Sequence, residues 1–487
     1  MIWRWLERHA DHAPGRIALR FGAETITYGA LAAQVAAMAA GLAARGIGRG
    51  DRVAVLGQNH PAQIVALFAC ARLGAMQVPL NWRLAVPEWR FMLEDSGARL
   101  LLAGPAYRDA ARAAAPAACE VAEVQDVMEV TAAAAATAPV GGDDDPILLV
   151  YTSGTTGRPK AAILDQRAVL FNALNAQHAF ALTPDDRILT VLPLFHVGGL
   201  NIQTTPALYG GAEVILQERF DPGRFFDAVE AERPTLSLLV PAVMQALVEH
   251  PRWPIADLSS LRAVGAGSSI VPVSLIAAFH AKGVPVQQIY GATETSPIAI
   301  AQTQAEARVA PGSIGRPAKH VECRVVDPAG TVLSAGEEGE IEVRGPSVLR
   351  GYWGHGEALK PGGWFATGDV GRRDADGRWW FTDRRKHVII SGGENIYPAE
   401  LERLLADSPG VADCAVVGRP DPRWGEVPVA IVVPGAGFDP ARVLAHLEGR
   451  IARFKLPRAV IPVAALPRTA LGKVATGELR ALVAREP

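Results

Sequence analysis

The segment Tyr151-Thr-Ser-Gly-Thr-Thr-Gly-Arg-Pro-Lys160 gathers hydroxyls, glycines and a lysine behind the apolar run Ile147 to Tyr151. A strand that empties into Thr152, Ser153, Gly154, Thr155, Thr156 and Gly157 lets backbone N–H groups and hydroxyls converge on phosphate oxygens, and Lys160 adds charge. The string is not a Walker A loop. Counted from Gly154, that template asks for glycine at 159 and a hydroxyl residue at 161, where the chain has Pro159 and Ala161. The plainer alternative is a surface loop rich in Ser, Thr and Gly.

Other side chains with chemistry to offer have ordinary explanations when taken alone. Glu294, after a threonine, reads as a solvated helix start, and Asp369, after Gly368, as a turn residue. His196, between Phe195 and Val197, reads as a core histidine. Lys473 reads as a tail lysine, although its setting, Leu466-Pro-Arg-Thr-Ala-Leu-Gly-Lys473, is a Pro/Gly-punctuated loop that can reach into a cleft and retract.

The elements that must position these residues alternate. Leu31 to Arg45 and Pro61 to Leu73 have helical spacing, and Arg52 to Leu56, Ala75 to Leu80 and Arg99 to Ala103 read as strands. This βαβ rhythm predicts an α/β fold with a mostly parallel sheet covered by helices. Thr131 to Asp145 is a low-complexity, exposed loop. Strands are expected again at Ile188–Leu192, Glu213–Leu216, Leu236–Val240 and Val286–Ile289. From about Cys323 the pattern turns to strand–turn–strand, an antiparallel β-subdomain. After Asp383 a small α+β pattern begins: a strand at His387–Ile390, a helix at Pro398–Leu405, strands at Val411–Val417 and Val429–Val433, and a helix over Ala441–Ala452. The expected organisation is a large unit, 1–382, and a small C-terminal domain, 383–487.

With 487 residues, 49% hydrophobic and 20% charged, the chain can bury a large core. A formal net charge of -2 argues against a main role in wrapping nucleic acid or lying on acidic membranes. Cys70, Cys119, Cys323 and Cys414 are scattered, as in a reducing compartment. The N-terminus lacks the apolar core of a signal peptide, and no run of roughly 18 apolar residues could span a membrane. A cytoplasmic protein is expected. Trp3 and Trp5 would cap a core or, alternatively, sit at a membrane interface.

The string at 151–160 resembles the phosphate-binding signature of the adenylate-forming superfamily, in its acyl-CoA synthetase branch. Further motifs follow in family order: Leu192-Pro-Leu-Phe-His-Val-Gly-Gly199, Tyr290-Gly-Ala-Thr-Glu-Thr295, Gly363-Trp-Phe-Ala-Thr-Gly-Asp369, the run from Asp383 to Pro398, and the Lys473 loop. The resemblance spans nearly the whole chain. It implies a large N-terminal domain with a mobile C-terminal lid, and a reaction that joins a carboxylate to AMP before a thiol displaces AMP. ATP, Mg²⁺ and CoA are the implied cofactor and co-substrates; a carboxylic acid is the substrate, and a homodimer is compatible with the family.

The resemblance also implies roles. Glu294 would hold Mg²⁺ on the ATP phosphates, with Thr152 to Gly157 and Lys160 around them, and Tyr290, Gly291, Ala292 and Thr293 beside the nucleotide. Asp369 would accept both ribose hydroxyls with help from Arg384. Gly265 to Ser269 resembles, loosely, the loop that frames adenine and the acyl carbonyl, including Gly267 and Ser268. His196 would gate an acyl pocket lined by Val197, Gly198, Leu200, Val264, Gly265 and Ala292. Lys473 would bridge carboxylate and α-phosphate, an arrangement suited to a flexible ammonium. Lys386 falls at the hinge. Ser391, Gly392 and Gly393 would form the pantetheine passage, and Trp424, Phe454 and Lys455 would touch CoA.

Three features depart from the family pattern: Ala161 replaces glycine, Leu164-Asp165-Gln166 replaces a Thr-His sequence, and His387 stands where Asp or Ser is usual. The small, apolar pocket positions lack a cation for a second carboxylate, which points to an apolar monoacid, fatty or aryl. Competing readings keep the fold but load a carrier-protein phosphopantetheine, oxidise the adenylate as luciferases do, or bind nucleotide without catalysis.

Overall fold

The computed structural model describes residues 1–128, 138–152, 159–268, 270–384, 387–391, 394–421, 424–448, 450–451, 455–469 and 473–485. The chain forms two compact units, Met1–Cys323 with Val343–Phe365, and Arg324–Glu342 with Ala366–Pro487.

The first unit holds two sheets. One has seven strands in the order Gly351–Tyr352, Lys160–Asp165, Pro146–Thr152, Met76–Leu80, Arg52–Leu56, Leu100–Ala103 and Glu120–Ala122. The strands from Pro146–Thr152 to Glu120–Ala122 pair in parallel. They are nearly continuous apolar runs because helices cover both faces of a parallel sheet. Leu56, Val78, Leu101 and Leu149 are buried in their core. Lys160–Asp165 returns antiparallel along Pro146–Thr152, and Gly351–Tyr352 adds antiparallel to it, with Tyr352 opposite Ala162.

The second sheet has nine strands: Arg316–Pro317, Ile300–Ala301, Val286–Tyr290, Ala263–Gly267, Leu236–Leu239, Arg187–Thr190, Glu213–Leu216, Ile17–Phe21 and Glu24–Thr27. All pairs from Val286–Tyr290 to Ile17–Phe21 are parallel. Helix starts follow local chemistry. Thr27 caps Tyr28–Ala44 and Asp165 caps Gln166–Phe180, each accepting a backbone N–H of the first turn. Trp3 and Trp5 are 5% and 4% exposed, with the Trp3 Nε1 donating to Gly141 O at 3.1 Å, so they pack into the core.

The second unit contains a four-stranded sheet whose last strands, Phe365–Arg373 and Trp379–Arg384, pair antiparallel. Its C-terminal part is a five-stranded sheet in which Ile389–Ser391, Gly425–Pro434 and Val411–Asp421 are neighbours and Ala459–Pro462 pairs parallel with Gly425–Pro434. Helices Pro398–Ala406 and Pro440–Leu447 bury Leu401, Leu405, Val443 and Leu447 in one cluster; helix Thr476–Val483 buries Leu479 and Val483 in another. The helix expected over Ala441–Ala452 stops at Leu447, shortly before Gly449, a poor helix former. The strand expected from His387 begins at Ile389. Among the described residues, no helix is long and apolar enough to cross a membrane.

Candidate active site

In the first unit, the phosphate-loop residues Ser153, Gly154, Thr155, Thr156 and Gly157 lie outside the described residues. The hairpin that carries them is described: Thr152 pairs with Lys160, and the Thr152 hydroxyl donates to Lys160 O at 3.4 Å. Both loop ends are thus fixed by a ladder buried at Leu149, Val150, Ala161 and Ala162. The departures beside the loop have structural reasons. Ala161 is core, Asp165 is a helix cap, and buried Gln166 accepts from Ile2 N at 3.0 Å and donates to Ala71 O at 2.8 Å.

Tyr290 is buried at the end of its strand, and Gly291, Ala292 and Thr293 lead into the 3₁₀ turn Thr293–Thr295. A Cβ on Gly291 would lie 1.7 Å from Pro297 O, so only glycine fits there. The turn presents Glu294, whose Oε1 accepts the Tyr352 hydroxyl at 2.8 Å and whose backbone oxygen accepts Leu349 N at 2.7 Å. Burial, then the Glu294 charge and hydrogen bond, push the Tyr352 phenol up, so it stays a donor. The sequence reading missed Tyr352. It lies 58 residues from Glu294, and only the pairing of Gly351–Tyr352 with Lys160–Asp165 brings it there. Among the described residues no cluster of three metal-ligating side chains exists. The Glu294 carboxylate, held at one oxygen by Tyr352, is a hard oxygen ligand of the kind Mg²⁺ takes alongside nucleotide phosphates and water.

His196 precedes the short turn Val197–Gly199, its ring 4.5 Å from that of Phe195. Val197, Leu200 and Val264 are buried, and Gly198 and Ala292 partly so. Gly265 and Gly267 belong to strand Ala263–Gly267 and not to a loop; Ser268 follows, exposed, with φ 73°, and Ser269 lies outside the described residues. The strand wins because parallel neighbours on both sides take its backbone hydrogen bonds. A Cβ on Gly265 would meet Leu238 Cδ1 at 2.9 Å and the Phe180 ring at 3.2 Å, so that side of the strand is already filled.

In the second unit, antiparallel register sets Asp369 opposite Arg384, and Arg384 Nε lies 3.1 Å from Asp369 Oδ1. Asp383 accepts Arg384 N at 2.6 Å and Ala399 N at 2.8 Å. Burial pushes its carboxyl up to about 6; those two hydrogen bonds oppose the shift, and the nearby Asp369 charge adds to it. His387 Nδ1 is 3.9 Å from Asp383 Oδ1. Lys386, Gly392, Gly393 and Phe454 lie outside the described residues. Ser391 is buried opposite Gly425, beside Trp424, which is 38% exposed. Lys455 is paired with both oxygens of Glu400, at 2.7 and 2.9 Å. Lys473 is exposed; its carbonyl accepts Thr469 N at 2.7 Å, and a bridge between Arg468 and Val474 closes the base of its loop.

The AMP-binding enzyme family model matches residues 6–353, and that of the AMP-binding enzyme C-terminal domain matches residues 400–473. The chain is 49% identical to an indoleacetate–CoA ligase of Aromatoleum aromaticum, covering 99% of this chain and 98% of the relative. It is 45% identical to a feruloyl-CoA synthase of Amycolatopsis, with 94% of each covered. Among solved structures, the o-succinylbenzoate CoA synthetase of Bacillus subtilis in complex with its acyl-adenylate intermediate aligns with TM-score 0.90 and 32% identity, covering 98% of each chain. The same enzyme in complex with ATP and magnesium ion aligns with TM-score 0.89 and 33% identity, over 98% of this chain and 99% of that one. The signatures, the parallel-sheet architecture and these matches agree: the chain belongs to the AMP-binding enzyme family, as one of its adenylate-forming acyl-CoA synthetases.

Proposed function

We propose that the acid is aromatic and that free CoA is the acceptor. The observation that carries the substrate class is the near full-length similarity to ligases named for indoleacetate and feruloyl groups, together with pocket positions that are small or apolar. In the first half-reaction a carboxylate oxygen attacks the α-phosphorus of ATP and pyrophosphate leaves. In the second, the CoA sulfur attacks the acyl carbon, the thiol proton is lost, and AMP leaves.

Within the first unit, Thr152 and Lys160 flank the phosphate loop, Tyr290 packs beside adenine, and His196 gates the acyl group. Glu294 would hold Mg²⁺, which when bound supplies charge to the ATP phosphates. Tyr352 keeps that carboxylate aimed. Within the second unit, Asp369 with Arg384 takes the ribose hydroxyls, Ser391 and Trp424 serve CoA, and residues 383–487 move as a lid about Lys386. Lys473 supplies the positive charge of the adenylation step.

Incubating the protein with ATP, Mg²⁺, CoA and a pool of aliphatic acids, benzoates, cinnamates and arylacetates, followed by mass spectrometry, tests the reading. A dominant aromatic acyl-CoA with AMP is expected. Acyl-AMP without acyl-CoA would shift the acceptor to a carrier protein, and an exclusively aliphatic product would overturn the substrate class. Lys473→Ala is expected to slow adenylation by about a hundredfold or more while still converting preformed acyl-AMP and CoA. Equal loss of both half-reactions would remove that role.

A further inference from the structure

Gln203 has no part in the reaction as described, yet it is buried at 2% exposure, and among the described residues neither its Nε2 nor its Oε1 has a hydrogen-bond partner. A buried amide left unbonded at both ends disfavours the fold unless a water or a ligand group bonds it. It sits in a π-helical turn, Leu200–Thr204, a local geometry that recurs at functional sites.

Beside it lies a cavity of about 10 Å³, lined among others by Thr190, Leu192, Gly199, Thr204 and Leu238. The two threonines are committed elsewhere: their hydroxyls bond each other at 2.9 Å, and Thr204 Oγ1 lies 2.7 Å from Gly199 O. Leu192 and Gly199 bound the segment that carries His196, and Leu238 pairs with Gly265. The cavity therefore adjoins the positions proposed to hold the acyl group. Its volume admits one water-sized group and no ring. That is the size of an O–H or N–H projecting from the edge of a ring.

We infer that Gln203 is a specificity-determining residue whose amide hydrogen-bonds a ring O–H or N–H of the aromatic acid, on the side away from the carboxylate. The inference rests on the aromatic-acid reading above and narrows it. A ring N–H can serve only Oε1, whereas a hydroxyl can donate to Oε1 or accept from Nε2. Either would leave the amide paired. An acid without such a group would leave it unpaired, which is how a site built for a polar group rejects the isostere lacking it.

The test compares kcat/KM for two matched pairs: 4-hydroxycinnamate against cinnamate, and indole-3-acetate against its benzothiophene isostere. The full-length protein, Gln203→Met and Gln203→Leu are assayed with ATP, Mg²⁺ and CoA. The unmodified chain is expected to favour the donor-bearing member of one pair by about tenfold or more, and both variants to bring that ratio close to one. A ratio does not depend on how much variant protein folds. The pair that discriminates tells a phenolic from an indolic substrate. Equal turnover of both members by the unmodified chain, or a preference that survives both substitutions, overturns the inference while leaving the ligase reading intact. Thioesters formed from aliphatic acids alone overturn the aromatic reading and this inference together.

Discussion

The Tyr352 hydroxyl and the Glu294 carboxylate meet at 2.8 Å, and that bond fixes one of the two carboxylate oxygens. A hydrogen bond to a charged acceptor contributes about 1.5–3 kcal/mol and holds its geometry tightly. Tyr352→Phe is therefore expected to lower the adenylation rate by about tenfold and to raise the Mg²⁺ concentration needed for half-maximal pyrophosphate release. Conversion of preformed acyl-AMP by CoA should change little. A Mg²⁺ titration of pyrophosphate release checks this; an unchanged Mg²⁺ requirement would make Tyr352 a packing residue. At this scale the sequence was half legible. Glu294 stood inside a motif, but Tyr352 is a tyrosine between Gly351 and Trp353 whose partner is chosen by strand pairing. The same holds for Gln203, an unremarkable glutamine until its burial and missing bonds are seen.

Elements were easier to read than their ends. Parallel strands buried on both faces give runs such as Arg-Val-Ala-Val-Leu at 52–56, visible without any partner. The order in which they pair is invisible locally, and the antiparallel return of Lys160–Asp165 is what ties both ends of the phosphate loop. Gly265 to Gly267 resembles a loop of the family but is strand, because parallel neighbours on both sides take its backbone hydrogen bonds, and glycine is needed there because Leu238, Phe180 and Ile289 crowd the space a side chain would need. Gly291 tests the same logic. Gly291→Ala places a methyl against Pro297 O, and the turn bearing Glu294 must shift. The expected cost is about 3 kcal/mol in unfolding free energy or, if the turn yields, a comparable loss of adenylation. Denaturant unfolding and pyrophosphate release together separate the two; no change in either would show that the turn adapts freely.

Across the second unit, acidic groups gather where the chain leaves the strand Trp379–Arg384. Burial, then the charges of Asp383 and Asp413, push Glu402 up to about 7, against the pull of its hydrogen bond from Val416 N at 2.8 Å. A carboxyl raised above its unfolded value binds a proton more tightly in the folded state. Its favourable contribution is therefore full below the unfolded pKa and is lost as pH rises through about 7. Glu402→Gln, which can keep the Val416 bond, is expected to stabilise the chain at pH 8 by about 1–3 kcal/mol, with the gain fading toward pH 5. Urea unfolding of both proteins across that range measures it; a gain independent of pH would show that Glu402 titrates normally. Asp383, with its carboxyl near 6, couples in the same direction; it opens a motif in the sequence, whereas Glu402 does not stand out there.

The sequence by itself determined the family, the reaction class and the alternation of strands and helices. The family and reaction class follow from the resemblance its motifs carry, and the alternation from hydrophobic periodicity, which is set within a few turns of chain. The tertiary structure decided which side chains meet. Tyr352 reaches Glu294, Asp383 caps the helix at Pro398, and Gln203 faces a cavity, through contacts set by register and packing between segments far apart in the chain. Burial decided the rest, since the protonation of Glu402 and the unpaired amide of Gln203 depend on water being excluded, and exclusion is a property of the packed molecule.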